Sequence, residues 1–147
     1  MKEAIHISEL GSFKYGSVEV DDEIYQWYEG AIPVDSGKTI TVIIYPENHV
    51  VSEEYERWIL RAISSCCASQ ASALNEVYDE LGTLFSEYEL GELPDLSALQ
   101  NQLDLDQINI PVEGVELRFH SGTLFPNFNL SMYFDTNGSL IELAFDG

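Results

Sequence analysis

Three polar residues with catalytic potential occur close together in the last third of the chain. Arg118, His120 and Ser121 are near neighbours, and an imidazole beside a guanidinium could act as a general base next to an electrophilic group. No nucleophile motif such as Gly-x-Ser-x-Gly accompanies them. They also fall on the polar side of an alternating pattern, which is typical of a solvent-facing strand surface. We therefore expect a protein that is not an enzyme, and a small enzyme is the less favoured alternative.

Metal sites are the next chemistry to consider. The segment DLDQIN, residues 104–109, has acids at alternate positions like the start of a calcium-binding loop. An EF-hand loop needs an oxygen ligand at its fifth position and glycine at its sixth, where this chain has Ile108 and Asn109. Cys66 and Cys67 are adjacent and no second cysteine pair exists, which disfavours zinc. We predict no metal, no cofactor and two reduced thiols.

The stretch YQWYEG, which begins at Tyr25, combines aromatic rings with carboxylates. In a strand, Tyr25 and Trp27 share one face and Tyr28 lies on the other. If helices cover the Tyr28 face, the first two rings lie on the open side and resemble the aromatic anchors of protein interfaces. The alternative, left open here, is that a loop such as residues 10–15 or 124–128 folds over these rings as a second small core.

Charge is the strongest signal in the chain. There are 26 Asp and Glu residues against 6 Lys and Arg, a formal charge of -20, with 12% aromatic residues that disordered acidic tails lack. The acids are scattered, so they decorate a folded surface; this disfavours nucleic acid and favours a basic protein partner. The candidate partner-binding residues are Asp21, Asp22, Glu23, Tyr25, Trp27 and Glu29, with a competing acidic patch of Glu53, Glu54 and Glu56.

The length of 147 residues and the 45% hydrophobic content fit a single domain, residues 1–147. The opening MKEAIHISEL has no basic segment followed by an apolar stretch. No apolar run approaches the roughly 18 residues of a membrane helix. We expect a cytoplasmic protein without membrane contact, as either a monomer or a homodimer.

Extended patterns dominate the first third. Short strands are predicted at residues 4–8, 24–34 and 38–45, and Asp35-Ser36-Gly37 is the turn between the last two. The result is an N-terminal hairpin. Its second strand is almost entirely β-branched or aromatic, which suits a central position in a sheet.

A helical period follows between residues 52 and 88, with Ser52 as the predicted N-cap. Two apolar stripes are out of phase by one residue, and the offset falls in the serine-rich residues 64–69. Serine is a weak helix former, so the long helix is predicted to kink or break there. A short helix is predicted within residues 95–103, followed by a connection that Pro111 closes.

The last third alternates regularly. Apolar residues recur at every second position near residues 115–119, 128–134 and 141–145, which indicates three strands. Asp135-Thr136-Asn137-Gly138 predicts a hairpin turn between the last two. The predicted class is α+β: an antiparallel sheet of the N-terminal hairpin and a C-terminal three-strand meander, packed against central helices.

This layout resembles a family of small acidic bacterial proteins, some of which are immunity proteins that neutralise toxins of rival cells. The resemblance lies in the segment GSFKYGSVEVDDEIYQWYEG leading into GKTITVIIYPE, the central helices, the LPDLSALQNQLDLDQINIP connection and the ending GSLIELAFDG. The family often carries a Trp-Asp-Glu-His-Gly type stretch before its penultimate strand. Residues 122–129 read GTLFPNFN here, so any role tied to that histidine is absent.

Two functional hypotheses follow. The first is a non-catalytic cytoplasmic immunity protein that inhibits a basic toxin domain, because an acidic surface speeds association with a cationic partner and aromatic anchors slow its release. The second is a regulatory or interaction module whose acidity serves solubility alone.

Overall fold

The computed structural model describes residues 4–7, 10–33, 39–46, 52–111 and 113–146, without the side chains of residues 4, 5, 67 and 146. Eight strands and three helices follow one another along this part of the chain. They are β1 (Ala4–Ile7), β2 (Gly11–Val20), β3 (Glu23–Pro33), β4 (Thr39–Ile44), α1 (Glu53–Glu76), α2 (Tyr78–Glu87), α3 (Leu96–Gln102), β5 (Asp104–Ile110), β6 (Val115–His120), β7 (Asn129–Phe134) and β8 (Leu140–Asp146).

All eight strands form one mixed sheet whose order follows the chain, from β1 at one edge to β8 at the other. Strands β1 to β4 make an antiparallel meander, and so do β5 to β8. The two meanders join through the parallel pair of β4 and β5, where Val42 lies beside Ile108. The helices form the crossover that a parallel pair requires. The α+β class is confirmed, but a sheet of only one hairpin and a three-strand meander was the wrong prediction.

The N-terminal meander contains a strand, β2, that the sequence pattern did not predict. Its sequence GSFKYGSVEV carries Gly11 and Gly16, and glycine weakens a strand signal. Pairing with both β1 and β3 outweighs that weakness, and Phe13 becomes fully buried. The predicted strands at residues 4–8, 24–34 and 38–45 correspond to β1, β3 and β4, while the turn predicted at residues 35–37 lies outside the described residues.

The segment expected to be an acidic connection, residues 104–110, is strand β5. Ile108 and Ile110 are fully buried in it. Its first half is rich in acids and its apolar alternation is short, so the local pattern resembles a loop. Because β5 lies between β4 and β6, its isoleucines are buried, and this tertiary burial outweighs the loop-like local pattern.

Helix α1 continues through residues 64–69, where a kink or break was predicted, and ends at Glu76. The turn between β7 and β8 packs here: a Cβ added to Gly138 would lie 3.5 Å from the Cβ of Ser65. Small serine side chains admit this close approach, and the packing outweighs their low helix propensity. The helical run is instead interrupted at Val77, a buried residue between α1 and α2.

The C-terminal strands β6, β7 and β8 match the predicted alternation, with one correction in β8. Ile141 was predicted to face the core but is 67% exposed. A bulge places Leu140 opposite Phe134 and Glu142 opposite Tyr133, so Ile141 is the extra residue between two paired positions. An extra residue of this kind leaves the alternation and turns outward.

The two faces of the sheet differ in what covers them. On one face, here called the helix face, Tyr28 and Val42 share a buried core with Ile59 of α1, Leu81 of α2 and Leu99 of α3. The opposite face, here called the open face, carries the alternate residues of each strand. These include Trp27 and Glu29 of β3, Ile43 of β4, Asn109 of β5, Glu116 of β6, Tyr133 of β7 and Glu142 of β8.

Candidate functional site

A two-stranded ribbon, formed by residues 16–20 of β2 and 23–27 of β3, lies beyond the described pairing of these strands with β1 and β4. Strand β1 reaches along β2 only as far as Lys14, and β4 reaches along β3 only as far as Tyr28. Within the described ranges, the two strands of the ribbon pair only with each other. Residues 17–25 are all exposed. Most of the predicted partner-binding residues of the first group therefore lie on a projecting element.

Asp21 and Asp22 form the tip of the ribbon as a two-residue turn with φ values of 53° and 67°. Positive φ at both central positions is the type I′ geometry, for which Asn-Gly is the most favourable pair. Left-handed backbone costs an ordinary L-residue roughly 1 kcal/mol or more, and aspartate somewhat less. The chain thus holds two carboxylates at the outermost point of the ribbon at a conformational cost.

Three exposed apolar or aromatic side chains of the ribbon lie on its open face, whereas Ile24, which is 63% exposed, lies on the opposite face. Val18 lies opposite Tyr25 and Val20 opposite Glu23 in the strand register. Val18, Val20 and Tyr25 are 46%, 48% and 51% exposed. The Tyr25 hydroxyl donates a hydrogen bond of 2.9 Å to the Glu23 carboxylate, which orients the ring. An apolar strip bordered by acids matches the usual anatomy of a protein interface, with apolar contacts at its centre and polar groups at its rim.

Trp27 completes this strip at the base of the ribbon. A Cβ added to Gly16 would lie 2.7 Å from the indole of Trp27, so the ring rests on the glycine of the facing strand. The residue is half-buried. The second small core considered from the sequence does not form from the two loops named there, because residues 10–15 are largely part of β2 and Leu124 and Phe128 pack against the main core.

Glu29 connects the ribbon to the rest of the open face. It lies beside Ile43 of β4, at the point where the ribbon joins the sheet. Burial raises the pKa of the nearby Tyr45 phenol, and the carboxylates of Glu116 and Glu29 raise that pKa further. Carboxylates from two different strands, Glu29 of β3 and Glu116 of β6, therefore lie near one phenol.

The competing patch of Glu53, Glu54 and Glu56 is the first turn of α1. Ser52 caps this turn as predicted, because its hydroxyl accepts a hydrogen bond of 3.1 Å from the Tyr55 amide. Acids in this turn complement the positive end of the helix, which is a structural role. Since α1 packs on the helix face, the structure does not join this patch to Trp27 in one surface.

His120, the candidate base, lies next to two carboxylates brought by β5. Its Nδ1 is 3.1 Å from Asp106 Oδ2, and its Nε2 is 3.8 Å from Asp104 Oδ2. The buried Ser121 hydroxyl accepts a hydrogen bond of 3.1 Å from the Leu124 amide and so belongs to the following turn. The site therefore has an imidazole beside two carboxylates, next to a serine whose hydroxyl is already hydrogen-bonded within the following turn.

Metal-binding groups, cysteines and membrane-spanning helices are the other features to consider in the part of the chain that the structure describes. No group of three or more His, Cys, Asp or Glu side chains there is arranged to hold a metal ion. Cys66 is buried in the core. None of the described helices combines the length and apolarity needed to cross a membrane.

Several residues of the open face escaped sequence reasoning. Val18 and Val20 were missed because their strand was not predicted. Tyr45 directly follows β4 and Glu116 lies on β6; these two strands are neighbours of β5, which the sequence pattern did not predict as a strand. For Glu116, the sequence did indicate a position on the polar side of an alternating strand, and therefore on the face away from the core.

Comparison with known proteins finds no family model, no curated protein and no solved structure that matches this chain.

Proposed function

We propose that this protein is a non-catalytic binding protein that docks a cationic protein partner through the open face of its β2–β3 ribbon. The proposal rests on one observation, which is that the ribbon has exposed apolar residues on its open face and acids close to them. Between residues 16 and 27 the chain has the acids Glu19, Asp21, Asp22 and Glu23 and no basic residue.

Charge and apolar contact act at different stages of binding. The overall charge of -20 attracts a cationic surface over long distances and speeds the encounter. The strip of Val18, Tyr25 and Trp27 then loses its water against the partner and slows dissociation. A partner of the opposite charge with an apolar contact site fits both properties.

The conformation of the ribbon tip supports a role for its charge. Asp21 occupies the first central position of the turn, where Asn and Asp are both preferred, but Asp22 occupies the second, where Gly is preferred. A departure from the locally preferred residues is expected at functional sites, where stability is sacrificed for another purpose.

The biological role proposed for this binding is that of an immunity protein that neutralises a basic toxin domain. The resemblance described for the sequence and the acidic ribbon both favour it. The toxin's active site would be covered by the ribbon, with the carboxylates facing the cationic residues that such a site uses to bind its substrate.

The test is co-expression with the domain encoded by the neighbouring gene. That domain is expected to be basic and to stop growth when expressed alone, and growth is expected to return when this protein is expressed with it. A neighbouring product that is neither basic nor toxic, or a toxin that this protein fails to neutralise, would reject the immunity role.

Matched variants locate the surface within the same experiment. Replacing Val18 and Tyr25 by Ser removes exposed apolar area and is expected to abolish rescue. Replacing Glu53 and Glu54 by Gln changes charge on helix α1, on the other side of the sheet, and is expected to leave rescue intact. Circular dichroism of the purified variants establishes that each is folded.

A further inference from the structure

A pocket of about 290 Å³ opens on the open face, at the end of the sheet from which the ribbon extends. The directions of the strands place it there: the end of β4, the end of β5 and the start of β6 all lie at the same end as the start of β3. Its walls include Tyr45, Asn109, Glu113, Glu116, Tyr133 and Ile141.

The central group of this pocket is the carboxylate of Glu116, which is held in place through both oxygens. Asn109 Nδ2 donates to Oε1 at 2.7 Å, and the fully buried Ser131 Oγ donates to Oε2 at 2.7 Å. Asn109 is in turn positioned by a 2.8 Å hydrogen bond that its Oδ1 accepts from Gln107 Nε2. The carboxylate therefore has a fixed orientation.

A carboxylate fixed in this way can still bind a cation. An ionised carboxylate has about four lone-pair positions, and the two hydrogen bonds occupy one on each oxygen. Each oxygen thus keeps an acceptor position, which is the requirement for a bidentate contact with a planar guanidinium. A lysine ammonium would use these positions less well, because it is a compact point charge.

The remaining walls suit the same ligand. Tyr45 and Tyr133 supply aromatic surface, on which a guanidinium stacks more favourably than an ammonium. Glu113 adds a second carboxylate, and Ile141, turned outward by the bulge in β8, adds apolar surface for the methylene groups of a long side chain.

We propose that this pocket binds an arginine side chain of the cationic partner. This inference rests on the proposed function, and it specifies the residue type that the partner inserts beside the ribbon. The ribbon strip and the arginine pocket then form one continuous binding surface, with Glu29 and Tyr45 between them.

The pocket can be tested without the partner, by titrating the protein with N-acetyl-arginine methylamide and following amide chemical shifts by NMR. Saturable shifts in the millimolar range are expected at residues that line the pocket. The neutral isostere N-acetyl-citrulline methylamide is expected not to bind, and the lysine analogue is expected to bind several-fold more weakly.

Two pairs of variants make the test specific. Glu116→Gln is expected to weaken arginine binding by about tenfold or more, since a charge-assisted contact is lost. Glu142→Gln makes an equal charge change on the open face, on β8 and two strands away from Glu116. It is expected to change the affinity for arginine less than about twofold. Tyr45→Leu, at an exposed position, serves if the Glu116 variant does not fold, and is expected to weaken binding several-fold.

The outcomes separate this inference from the proposed function. Absent saturation, equal binding of citrulline, or equal loss in the Glu142 variant would overturn the arginine pocket even if toxin neutralisation is intact. Arginine binding as expected, together with failure to neutralise the neighbouring domain, would keep the pocket and reject the immunity role.

Discussion

At the scale of single residues, the most informative position is Trp27. Its ring rests on Gly16 and is half-buried, whereas Phe134 is almost fully buried in the core between sheet and helices. A core ring and the ring of the proposed interface can therefore be compared in the same sheet.

Trp27→Ala is expected to weaken partner binding by ~2 kcal/mol or more, as hot-spot aromatic residues do. It is expected to lower the free energy of unfolding less than Phe134→Ala, for which ~3–5 kcal/mol is typical. Urea denaturation and a binding titration of both variants check this. A Trp27 variant as unstable as the Phe134 variant would identify the indole as a core residue and contradict its docking role.

Tyr55 offers a second test at the residue scale. Its hydroxyl is buried without a hydrogen-bond partner among the described residues, and burial raises the pKa of its phenol. The folded protein therefore keeps this proton at pH values where the unfolded chain releases it. Stability from this group is complete below about pH 10 and is lost as the pH rises above it.

Tyr55→Phe is expected to leave the free energy of unfolding at pH 7 unchanged or to raise it by up to ~1 kcal/mol, because an unpaired buried hydroxyl is removed. It is also expected to make the loss of stability above pH 10 less steep. Urea denaturation at pH 7 and 10.5 measures both effects. Trp58→Phe is the control, since it alters the neighbouring ring, 5.8 Å away, without a titratable group. An equally steep loss in both variants would show that Tyr55 does not cause it.

At the scale of elements, the β2–β3 ribbon combines two demands on the same turn. Its geometry favours Asn-Gly, and its proposed role requires the carboxylates of Asp21 and Asp22. The two demands can be separated by choosing different neutral replacements at the same positions.

The variant Asp21→Asn/Asp22→Gly is expected to raise the free energy of unfolding by ~1 kcal/mol relative to Asp21→Asn/Asp22→Asn, because glycine accepts positive φ without strain. Both variants lose the same charge, so both are expected to slow association with the partner to the same extent. Thermal denaturation and stopped-flow association measure the two effects. Association at the original rate in either variant would mean that the tip carboxylates do not guide the partner.

At the scale of the whole molecule, the charge of -20 sets the long-range behaviour. Screening by salt removes interactions beyond roughly 8–10 Å but leaves short contacts intact. If the acids steer a cationic partner, the association rate constant is expected to fall steeply with ionic strength, while the dissociation rate constant changes much less.

Neutral variants identify which acids contribute most to this steering. Changing Asp21, Asp22, Glu23 and Glu29 to Asn or Gln is expected to reduce the dependence of the association rate on salt. Changing Glu53, Glu54 and Glu56 to Gln is the matched control and is expected to leave that dependence nearly unchanged. Stopped-flow association with the partner across a salt series measures it. An association rate that does not respond to salt would assign the acidity to solubility and favour the regulatory or interaction module.

The sequence by itself determined the features that depend on local periodicity and turn chemistry. These are the α+β class, the three C-terminal strands, the hairpin at Asn137-Gly138 and the short helix α3, capped by the Asp95 carboxylate at 2.9 Å from the Ala98 amide. Each rests on preferences of residues a few positions apart, which is why the pattern carries the information.

Only the tertiary structure decided which strands are neighbours. The pairing of β4 with β5 joins segments separated by all three helices, and no local pattern encodes its register. The pairing of β5 with β6, which the sequence did not predict because β5 was not predicted as a strand, brings Asp104 and Asp106 to His120, and Asn109 to Glu116. The ribbon likewise depends on how far the described parts of β1 and β4 pair along their neighbours. Long-range pairing is determined by burial over the whole sheet, so the candidate surface became visible only once the strands were assembled.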